Sequence, residues 1–437
     1  MPQFDPQKYS YPSRRNVVYA RRAMACTSVP LGAQIGLDVM KAGGNAMDAA
    51  VAMAAAMPIL EPTGNGLGSD CFALIWVEKE KKLYGLNASG VAPMALDAKM
   101  VRAMGHSEMP KTGWLPTMVP GAPAGWAAIN KKFGAKPLSE LFAPAISYAR
   151  EGYPVPVNLE PQWEKDSQRI AAARSKEPAP HSYWWNTFMK EDGTHYRAGE
   201  LFRWEEYAQT MEELAATDCE SYYRGPLMEK IVAFSRETGG YFCEDDFRNY
   251  QPMWVEPITT DYKGYTVCEI PPNGHGITVL MALNILKEFQ FQEKLHVETV
   301  HRQLEAMKMA FKDGLFYITD PKAMKVKTEH LLDPQLGRLR AAQITDTAQD
   351  PQVSELPQSG TVYLCTADEE GNMVSYIQSN YMGFGSGIVV EGTGISLQNR
   401  GHDFSLDDQH ANYLEPRKRT YHTIIPGFLM KEGKAVG

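Results

Sequence analysis

The chain has 437 residues, of which 44 are basic and 52 acidic, so its formal charge is −8. Its content of 44% hydrophobic and 22% charged residues is that of a globular protein with one large domain or two medium ones, which excludes a disordered or collagen-like chain. The acidic balance argues against a nucleic-acid partner. The six cysteines are scattered without a C-x-x-C pair, so neither a disulfide framework nor a zinc site is expected.

The N-terminal residues 1–16 are polar and lack the apolar stretch of a secretory signal, which predicts a cytoplasmic location. The longest apolar run, 46–60, contains Asp48 and is followed by Pro62. This run is too short and too interrupted to span a bilayer, so no membrane partner is expected.

The first third of the chain predicts an α/β arrangement. Helical spacing of apolar residues covers 31–42 and 46–57, and β-rich runs cover 71–77 and 82–87 around a charged turn. The glycine-rich loop 64–70 follows a helix and precedes a strand, whereas a dinucleotide-binding loop follows a strand and opens a helix. We therefore expect no dinucleotide cofactor at this loop.

The middle of the chain, 120–345, is predicted to be mainly helical. The clearest helical segments are 137–151, 225–238, 277–289 and 297–317, with a strand-like stretch at 262–270. The polar segment 341–360 predicts an exposed linker. Two β-rich runs joined by EEGN follow it and predict a hairpin.

The common signatures of metal, nucleotide and serine-hydrolase sites are absent, including a G-x-S-x-G pattern around Ser386. We therefore predict no metal and no organic cofactor.

One boundary is unusual, because the polar linker leads directly into a strand at Thr361. If the Gly360–Thr361 bond were cut, the new α-amine could take the hydroxyl proton in place of a histidine. Thr361 as an ordinary first residue of a strand remains the alternative.

Several segments resemble the large and small subunits of the γ-glutamyltranspeptidase family. The most specific are TVYLCTADEEGNMVSYIQSNY at 361–381 and NRGHDFS at 399–405. The others are KAGGNAMDAAVA (41–52), EPTGNGLGSDCF (61–72), VPGAPAGWAAINKKFG (119–134), YYRG (222–225), DYKGYTV (261–267) and EAMKMAF (305–311). The resemblance runs from about Arg14 to the last residue. It implies an α+β fold, the four-layer αββα sandwich of N-terminal-nucleophile (Ntn) hydrolases, with an added mainly helical region.

The resemblance also implies that the chain cuts itself between Gly360 and Thr361, and that Thr361 then attacks amides as the nucleophile. Ser379 falls where the family has a second hydroxyl that steadies the nucleophile, with a sheet-edge serine as the alternative. Asp403 falls on a carboxylate that holds the substrate α-ammonium, with a helix-cap or turn aspartate as the alternative. Thr423 resembles a hydroxyl that contacts the substrate carboxylate, and His422 stands where the family usually has serine.

The departures from the family pattern concern the acyl pocket. Ser89 stands where the family places an arginine that grips the γ-glutamyl α-carboxylate, and a serine offers only a neutral hydrogen bond. Tyr381 replaces a family asparagine, although Asn380 is adjacent, and Arg400 replaces a neutral amide. These changes resemble the acylase-like branch, which includes cephalosporin acylases that remove glutaryl-like groups. Arg400 would then hold a terminal carboxylate; a solvated surface arginine is the alternative.

In this interpretation, residues 1–360 form the large-subunit region and 361–437 the start of the small subunit. The family stabilises the oxyanion with a Gly-Gly pair that would follow shortly after Gly437, so we expect the small subunit to be incomplete here. The expected partner is a small γ-glutamyl or glutaryl-like amide, and a homodimer of the processed unit remains open. Two alternatives also remain: an ordinary γ-glutamyltransferase or glutathione hydrolase, and a non-catalytic binding relative.

Overall fold

The computed structural model describes residues 17–291, 293, 295–349 and 361–437. Its strands are β1 (Met24–Thr27), β2 (Asp70–Val77), β3 (Lys82–Ala88), β4 (Tyr153–Pro154), β5 (Leu201–Phe202), β6 (Met253–Val255), β7 (Ile258–Tyr262), β8 (Tyr265–Glu269), β9 (Val362–Ala367), β10 (Met373–Ser379), β11 (Ile388–Val390), β12 (Ile395–Leu397), β13 (Phe428–Lys431) and β14 (Lys434–Ala435). Its α-helices are α1 (Pro30–Lys41), α2 (Ala46–Leu60), α3 (Ala98–Ala103), α4 (Ala122–Phe133), α5 (Leu138–Glu151), α6 (Glu160–Arg174), α7 (Pro178–Phe188), α8 (Glu205–Ala216), α9 (Glu220–Arg224), α10 (Pro226–Glu237), α11 (Glu244–Arg248), α12 (Ile277–Leu286), α13 (Val297–Tyr317), α14 (Thr328–Leu331) and α15 (Pro334–Ala341).

The central sheet has the order β1-β9-β10-β2-β3-β6, and its neighbouring strands are antiparallel. The predicted 361–379 hairpin, β9 and β10, therefore lies in the middle of a sheet whose other strands come from the first part of the chain. Because every named strand pair is antiparallel, the fold is α+β, and the α/β arrangement expected for the first third was wrong.

The two faces of the central sheet pack differently. On one face, strand residues such as Ala73, Ile75 and Tyr376 share a large core with helices α2, α4 and α5. On the other face, Phe72, Leu74 and Ile377 meet residues of a second sheet, which has the order β14-β13-β8-β7. Helix α12 packs on the far side of that second sheet, against β7 and β8.

Helix α2 is buried over its whole length, as its alanine- and methionine-rich sequence predicts. It begins with a capping box. The Asn45 side chain accepts the backbone N–H of Asp48, and the Asp48 side chain accepts the backbone N–H of Asn45. The helix does not end at 57 as predicted, but continues through Pro58 to Leu60. Pro58 has no N–H for the Ala54 carbonyl, and the side-chain amide of Gln378 donates to that oxygen instead, at 3.4 Å.

The predicted strands at 71–77 and 82–87 and the predicted helices at 31–42, 137–151, 225–238, 277–289 and 297–317 are confirmed to within a few residues. The strand predicted for 262–270 is confirmed as β8, but it begins three residues later, at Tyr265. Lys263 and Gly264 adopt left-handed φ angles of 49° and 85° and reverse the chain between β7 and β8. Of the predicted linker, residues 342–349 are irregular and mostly exposed, and 350–360 lie outside the described residues.

The glycine-rich loop 64–70 passes close to strand β12. The backbone N–H of Gly68 donates to the Ser396 carbonyl at 3.0 Å. A Cβ atom at Gly66 or Gly68 would come within 2.6 Å of that same oxygen. The glycines of this loop therefore serve close backbone packing. Within the described ranges, no helix is long and apolar enough to cross a membrane.

Candidate active site

Thr361 and Ser379 lie side by side at one end of the central sheet. In the hairpin of β9 and β10, Val362 is paired with Gln378. Thr361, the residue before Val362, therefore lies next to Ser379, the last residue of β10. The Thr361 hydroxyl donates to Ser379 Oγ at 3.2 Å, and the same oxygen accepts the Tyr381 backbone N–H at 2.8 Å. Gly360, on the other side of the predicted cleavage bond, lies outside the described residues.

Four further predicted site residues form one contact unit, which we call the arginine cluster: Tyr381, Arg400, Asp403 and Thr423. The Tyr381 hydroxyl donates to Asp403 Oδ1 at 2.6 Å, and Arg400 Nη1 lies 3.4 Å from Asp403 Oδ2. The same Nη1 donates to the Thr423 hydroxyl at 2.5 Å. The guanidinium also lies over the Tyr381 ring, 4.1 Å from its centre. The backbone N–H of Tyr381 links this cluster to Ser379 and hence to Thr361.

Arg400 is 1% exposed, so the alternative of a solvated surface arginine was wrong. It opens a short 3₁₀ helix, Arg400–Asp403, whose spacing places the arginine and the aspartate on the same side. Among the described residues, its Nε and Nη2 atoms have no hydrogen-bond partner. Buried charged donors are costly to leave unpaired, so these two N–H groups indicate a place for an anionic acceptor. A carboxylate matches that geometry, since it can accept two N–H groups from one guanidinium.

Asp403 has a partner from the chain itself on each of its two oxygens. Burial raises the pKa of Asp403, while the Arg400 charge and the Tyr381 hydroxyl act in the opposite direction. Its carboxylate therefore balances the charge of Arg400. The role that the resemblance implies for Asp403, binding an α-ammonium, stays a prediction.

Asp70 is a site residue that the sequence reasoning missed. It begins strand β2, directly opposite Ser379, and is 1% exposed. Its carboxylate accepts the backbone N–H of Gly90 at 2.9 Å and the side-chain amide of Gln398 at 3.2 Å. It also lies 3.0 Å from Nε2 of His422. Asp70 thus holds together three segments that surround the arginine cluster.

His422 is the partner of Asp70 and equally buried. Its Nδ1 accepts the backbone N–H of Ile424 at 3.4 Å, so we assign the ring proton to Nε2, which donates to Asp70. Burial and the nearby Arg400 charge hold the pKa of His422 well below its usual range. Burial raises the pKa of Asp70 to about 7, against the stabilising charge of Arg400 and the hydrogen bond from Gly90. The histidine is therefore neutral, and the Asp70 carboxyl keeps its proton to a higher pH than an ordinary aspartate does.

Ser89 and Asn380 contact other parts of the chain than the arginine cluster. The Ser89 hydroxyl donates to Asn87 Oδ1 at 2.7 Å and accepts the side-chain amide of Asn273 at 3.2 Å. The Asn380 side-chain oxygen accepts the Ser69 hydroxyl at 2.8 Å, and its nitrogen lies against Gly66. Both are fully buried. Their predicted roles in substrate binding remain predictions.

A signal for the missed residues is present in the sequence. Asp70 opens an otherwise apolar, fully buried strand, and Gln398 directly follows the buried strand β12. Polar side chains in such positions need hydrogen-bond partners, which usually makes them parts of a specific network. In the part of the chain that the structure describes, no group of three or more His, Cys, Asp or Glu side chains is arranged to hold a metal ion.

Comparisons with known proteins agree with this site. A family profile described as gamma-glutamyltranspeptidase matches residues 32–437. The chain is 34% identical to the glutathione hydrolase-like YwrD proenzyme of Bacillus subtilis, over 95% of this chain and 78% of that protein. It is 33% identical to the oxamate amidohydrolase proenzyme of Klebsiella pneumoniae, over 92% of this chain and 75% of that one.

Among solved structures, cephalosporin acylase from Bacillus halodurans superimposes with a TM-score of 0.93 at 52% identity, over 100% of this chain and 80% of that one. The fold and these matches define an amide-cleaving enzyme of a class that is made as a proenzyme. The chain belongs to the gamma-glutamyltranspeptidase family. The predicted family, with its likeness to cephalosporin acylase, and the predicted enzyme class are thereby confirmed.

Proposed function

We propose that this protein is a self-processing amidohydrolase in which Thr361 is the nucleophile and the arginine cluster binds the terminal carboxylate of the acyl group. Its preferred substrates are amides of glutaryl-like acids, which carry that carboxylate and lack an α-amino group. The observation that carries the proposal is the pair of buried N–H donors on Arg400, Nε and Nη2, that have no partner among the described residues. They lie in a cluster connected to Thr361 through Ser379 and Tyr381.

In the processing step, Thr361 Oγ attacks the carbonyl carbon of Gly360. The C–N bond of that peptide breaks as an ester forms, and water then hydrolyses the ester to leave a free carboxylate and a free α-amine. Ser379 supports this step, since its hydroxyl oxygen already accepts the Thr361 hydroxyl and is fixed by the Tyr381 N–H. The sheet order supports the division into regions 1–360 and 361–437, because β9 and β10 remain held between β1 and β2 after the cut.

In the amide-cleaving step, the new α-amine of Thr361 takes the hydroxyl proton as Oγ attacks the substrate carbonyl. The amine then gives that proton to the leaving nitrogen, and an acyl-enzyme ester remains. Water, or an acceptor amine, releases the acyl group by the same route in reverse. Holding the far end of the acyl chain at Arg400 places the carbonyl carbon at the nucleophile.

The charges of the arginine cluster support a substrate without an α-amino group. Both oxygens of Asp403 have partners from the chain, whereas two donors of Arg400 have none in the ranges that the structure describes. The cluster therefore offers more to an added carboxylate than to an added ammonium. The names of two similar proteins support the same conclusion. One relative is an oxamate amidohydrolase, whose substrate is an amide that carries a carboxylate, and one similar solved structure is a cephalosporin acylase.

The second candidate is an ordinary γ-glutamyl hydrolase or transferase. Its support is the glutathione hydrolase proenzymes among the relatives, together with a half-buried carboxylate, Asp403, in the site. The ratio of kcat/KM for γ-glutamyl-p-nitroanilide to that for glutaryl-p-nitroanilide separates the two. We expect the glutaryl compound to be cleaved at least tenfold better. Equal or better cleavage of the γ-glutamyl compound would refute the acylase assignment in favour of the ordinary enzyme.

We also propose the four-layer αββα sandwich for this fold. The supporting observations are a helical layer with α2 and α4 on the central sheet, the apolar contact between the two sheets, and α12 on the second sheet.

The processed two-chain unit is proposed to act in the cytoplasm. Size-exclusion chromatography with light scattering decides whether two such units form a homodimer.

A further inference from the structure

Two cysteines lie directly opposite each other on neighbouring strands. Cys26 of the edge strand β1 pairs with Cys365 of β9 in an antiparallel register, so both side chains point to the same face of the sheet. Paired residues in such a register have Cα atoms about 4.5 or 5.5 Å apart, and disulfides span about 4.4–6.8 Å between Cα atoms. The backbone is therefore already placed for a disulfide.

The two thiols differ in access. Cys26 is exposed, and Cys365 is half-buried between β1 and β10. Burial, together with the neighbouring Cys26 thiol, which is a hydrogen-bond partner of Cys365, raises the pKa of Cys365 to about 11. Cys365 is thus a poor nucleophile towards solvent, and Cys26 is the thiol that an oxidant in solution meets first.

The two strands belong to different parts of the proposed proenzyme. β1 lies in the region before Gly360, and β9 begins at the residue after Thr361. We propose that Cys26 and Cys365 form a disulfide that covalently joins the two chains produced by processing. The joining of two chains rests on the proposed function, whereas the disulfide itself rests on the register alone.

A reducing cytoplasm keeps both thiols reduced, so the bond forms when an oxidant, a low-molecular-weight disulfide RSSR, becomes abundant. The Cys26 thiolate attacks one of its sulfurs, which forms a mixed disulfide and releases RSH after protonation. Cys365 Sγ then loses its proton to water and attacks Cys26 Sγ, which releases the second RSH. In sum, two protein thiols and RSSR give one protein disulfide and two RSH.

The bond would fasten a short edge strand to the interior of the central sheet. β1 has only four residues and pairs only with β9 in the described sheet. The Thr27 hydroxyl donates to the Tyr363 carbonyl at 3.1 Å, so β1 supports β9 two residues from the nucleophile. A disulfide at this place keeps the large chain attached to the strand that positions Thr361.

The test is peptide mapping of purified protein after exposure to oxidised glutathione or to reductant, with free thiols alkylated before digestion. Trypsin releases Cys26 on the peptide 23–41 and Cys365 on a peptide that ends at Arg400, and each holds a single cysteine. We expect the two peptides joined in the oxidised sample and separate after reduction. On a denaturing gel without reductant, the oxidised, processed protein should run as one species of about 49 kDa, and with reductant as two.

Cys26→Ser and Cys365→Ser should each abolish the joined peptide, and Cys243→Ser, which removes a half-buried thiol elsewhere, should leave it unchanged. Stable glutathionylation of Cys26 with Cys365 still open to alkylation would overturn the proposal, as would a link from Cys26 to another cysteine. The peptide that carries Cys365 begins at 361 if the chain is processed and at 341 if it is not. Failure of processing is therefore seen separately from failure of the disulfide.

Discussion

Replacing Arg400 by glutamine tests the acyl-group assignment most directly. The substitution removes the positive charge together with the two terminal nitrogens, and it keeps a neutral N–H donor at about the position of Nε. In the native site Arg400 is 1% exposed, and two of its donors have no partner within the described part of the chain. Truncating one partner of such a buried, charge-assisted pair costs about 2–5 kcal/mol. At 1.4 kcal/mol per factor of ten, kcat/KM should fall by about 30-fold to several thousandfold.

The assay compares glutaryl-p-nitroanilide with pentanoyl-p-nitroanilide, which has the same acyl chain length and no terminal carboxylate. Arg400→Gln should lose nearly all of its activity on the glutaryl compound and change little on the pentanoyl compound. The ratio of the two kcat/KM values therefore reports the carboxylate contact apart from general damage to the site. Arg417→Gln, at an exposed arginine, is the control and should leave the ratio unchanged.

Stability has to be measured beside activity, because Arg400 also neutralises Asp403. Removing one member of a buried ion pair costs about 3–5 kcal/mol. The double variant Arg400→Gln, Asp403→Asn removes both charges and should recover part of that loss in urea unfolding, without recovering glutaryl hydrolysis. An equal loss on both substrates, or undiminished glutaryl cleavage by folded Arg400→Gln, would refute the assignment of Arg400 to the substrate carboxylate.

Three further predictions concern processing and pH. Thr361→Ala should remain a single uncut chain in intact-mass spectrometry while Thr361→Ser is cut; cleavage of the alanine variant at 360–361 would exclude Thr361 as the processing nucleophile. For the wild type, kcat/KM should rise with pH with an apparent pKa of about 7–8, or lower if the site desolvates the amine, and acetylation of that amine should abolish turnover. Activity that survives complete acetylation would require another base. Burial raises the pKa of Asp70 to about 7, so the folded protein binds a proton there that the unfolded chain has lost. The shifted pKa of Asp70 adds at most about 4 kcal/mol to the free energy of unfolding. This stabilisation is fully present below about pH 4 and is lost as the pH rises through 7. In urea unfolding, the stability of Asp70→Asn should therefore fall less between pH 5 and pH 8 than that of the wild type. Glu269, whose pKa burial raises to about 8, contributes equally to the wild type and the variant. An unchanged pH dependence would contradict the assignment to Asp70.

Local sequence patterns predicted most of the fold because they report local physics. The hairpin of β9 and β10 follows from two β-rich runs around a tight turn, and α2 follows from the Asn45 cap and its apolar run. Two boundary errors, at the end of α2 and at the start of β8, arose where tertiary contacts or a single turn decide. Gln378, more than 300 residues away, supplies the hydrogen bond that lets α2 continue past Pro58, and the turn at Lys263-Gly264 interrupts an otherwise strand-like pattern.

In the candidate site too, contacts between residues close in sequence could be predicted, and contacts between distant residues could not. Thr361 and Ser379 could be placed together from the hairpin alone, and Arg400 and Asp403 from their spacing of three residues. The contact of Asp70 with His422 joins residues 352 positions apart. No periodicity in the sequence reports such a contact, so the pair became visible only when the central sheet was assembled.

Three residues that differ from the family pattern, Tyr381, Arg400 and His422, each contact an acidic side chain. Arg400 lies over the ring of Tyr381 and is neutralised by Asp403, so the arginine and the tyrosine form parts of one unit. His422, where the family usually has serine, is in contact with Asp70. Reverting Arg400 alone would leave Asp403 without its cation, and reverting His422 alone would leave Asp70 without that partner, each at the cost of an incompletely satisfied buried group. In the proposed site, recognition of a γ-glutamyl group would therefore require these positions to change together.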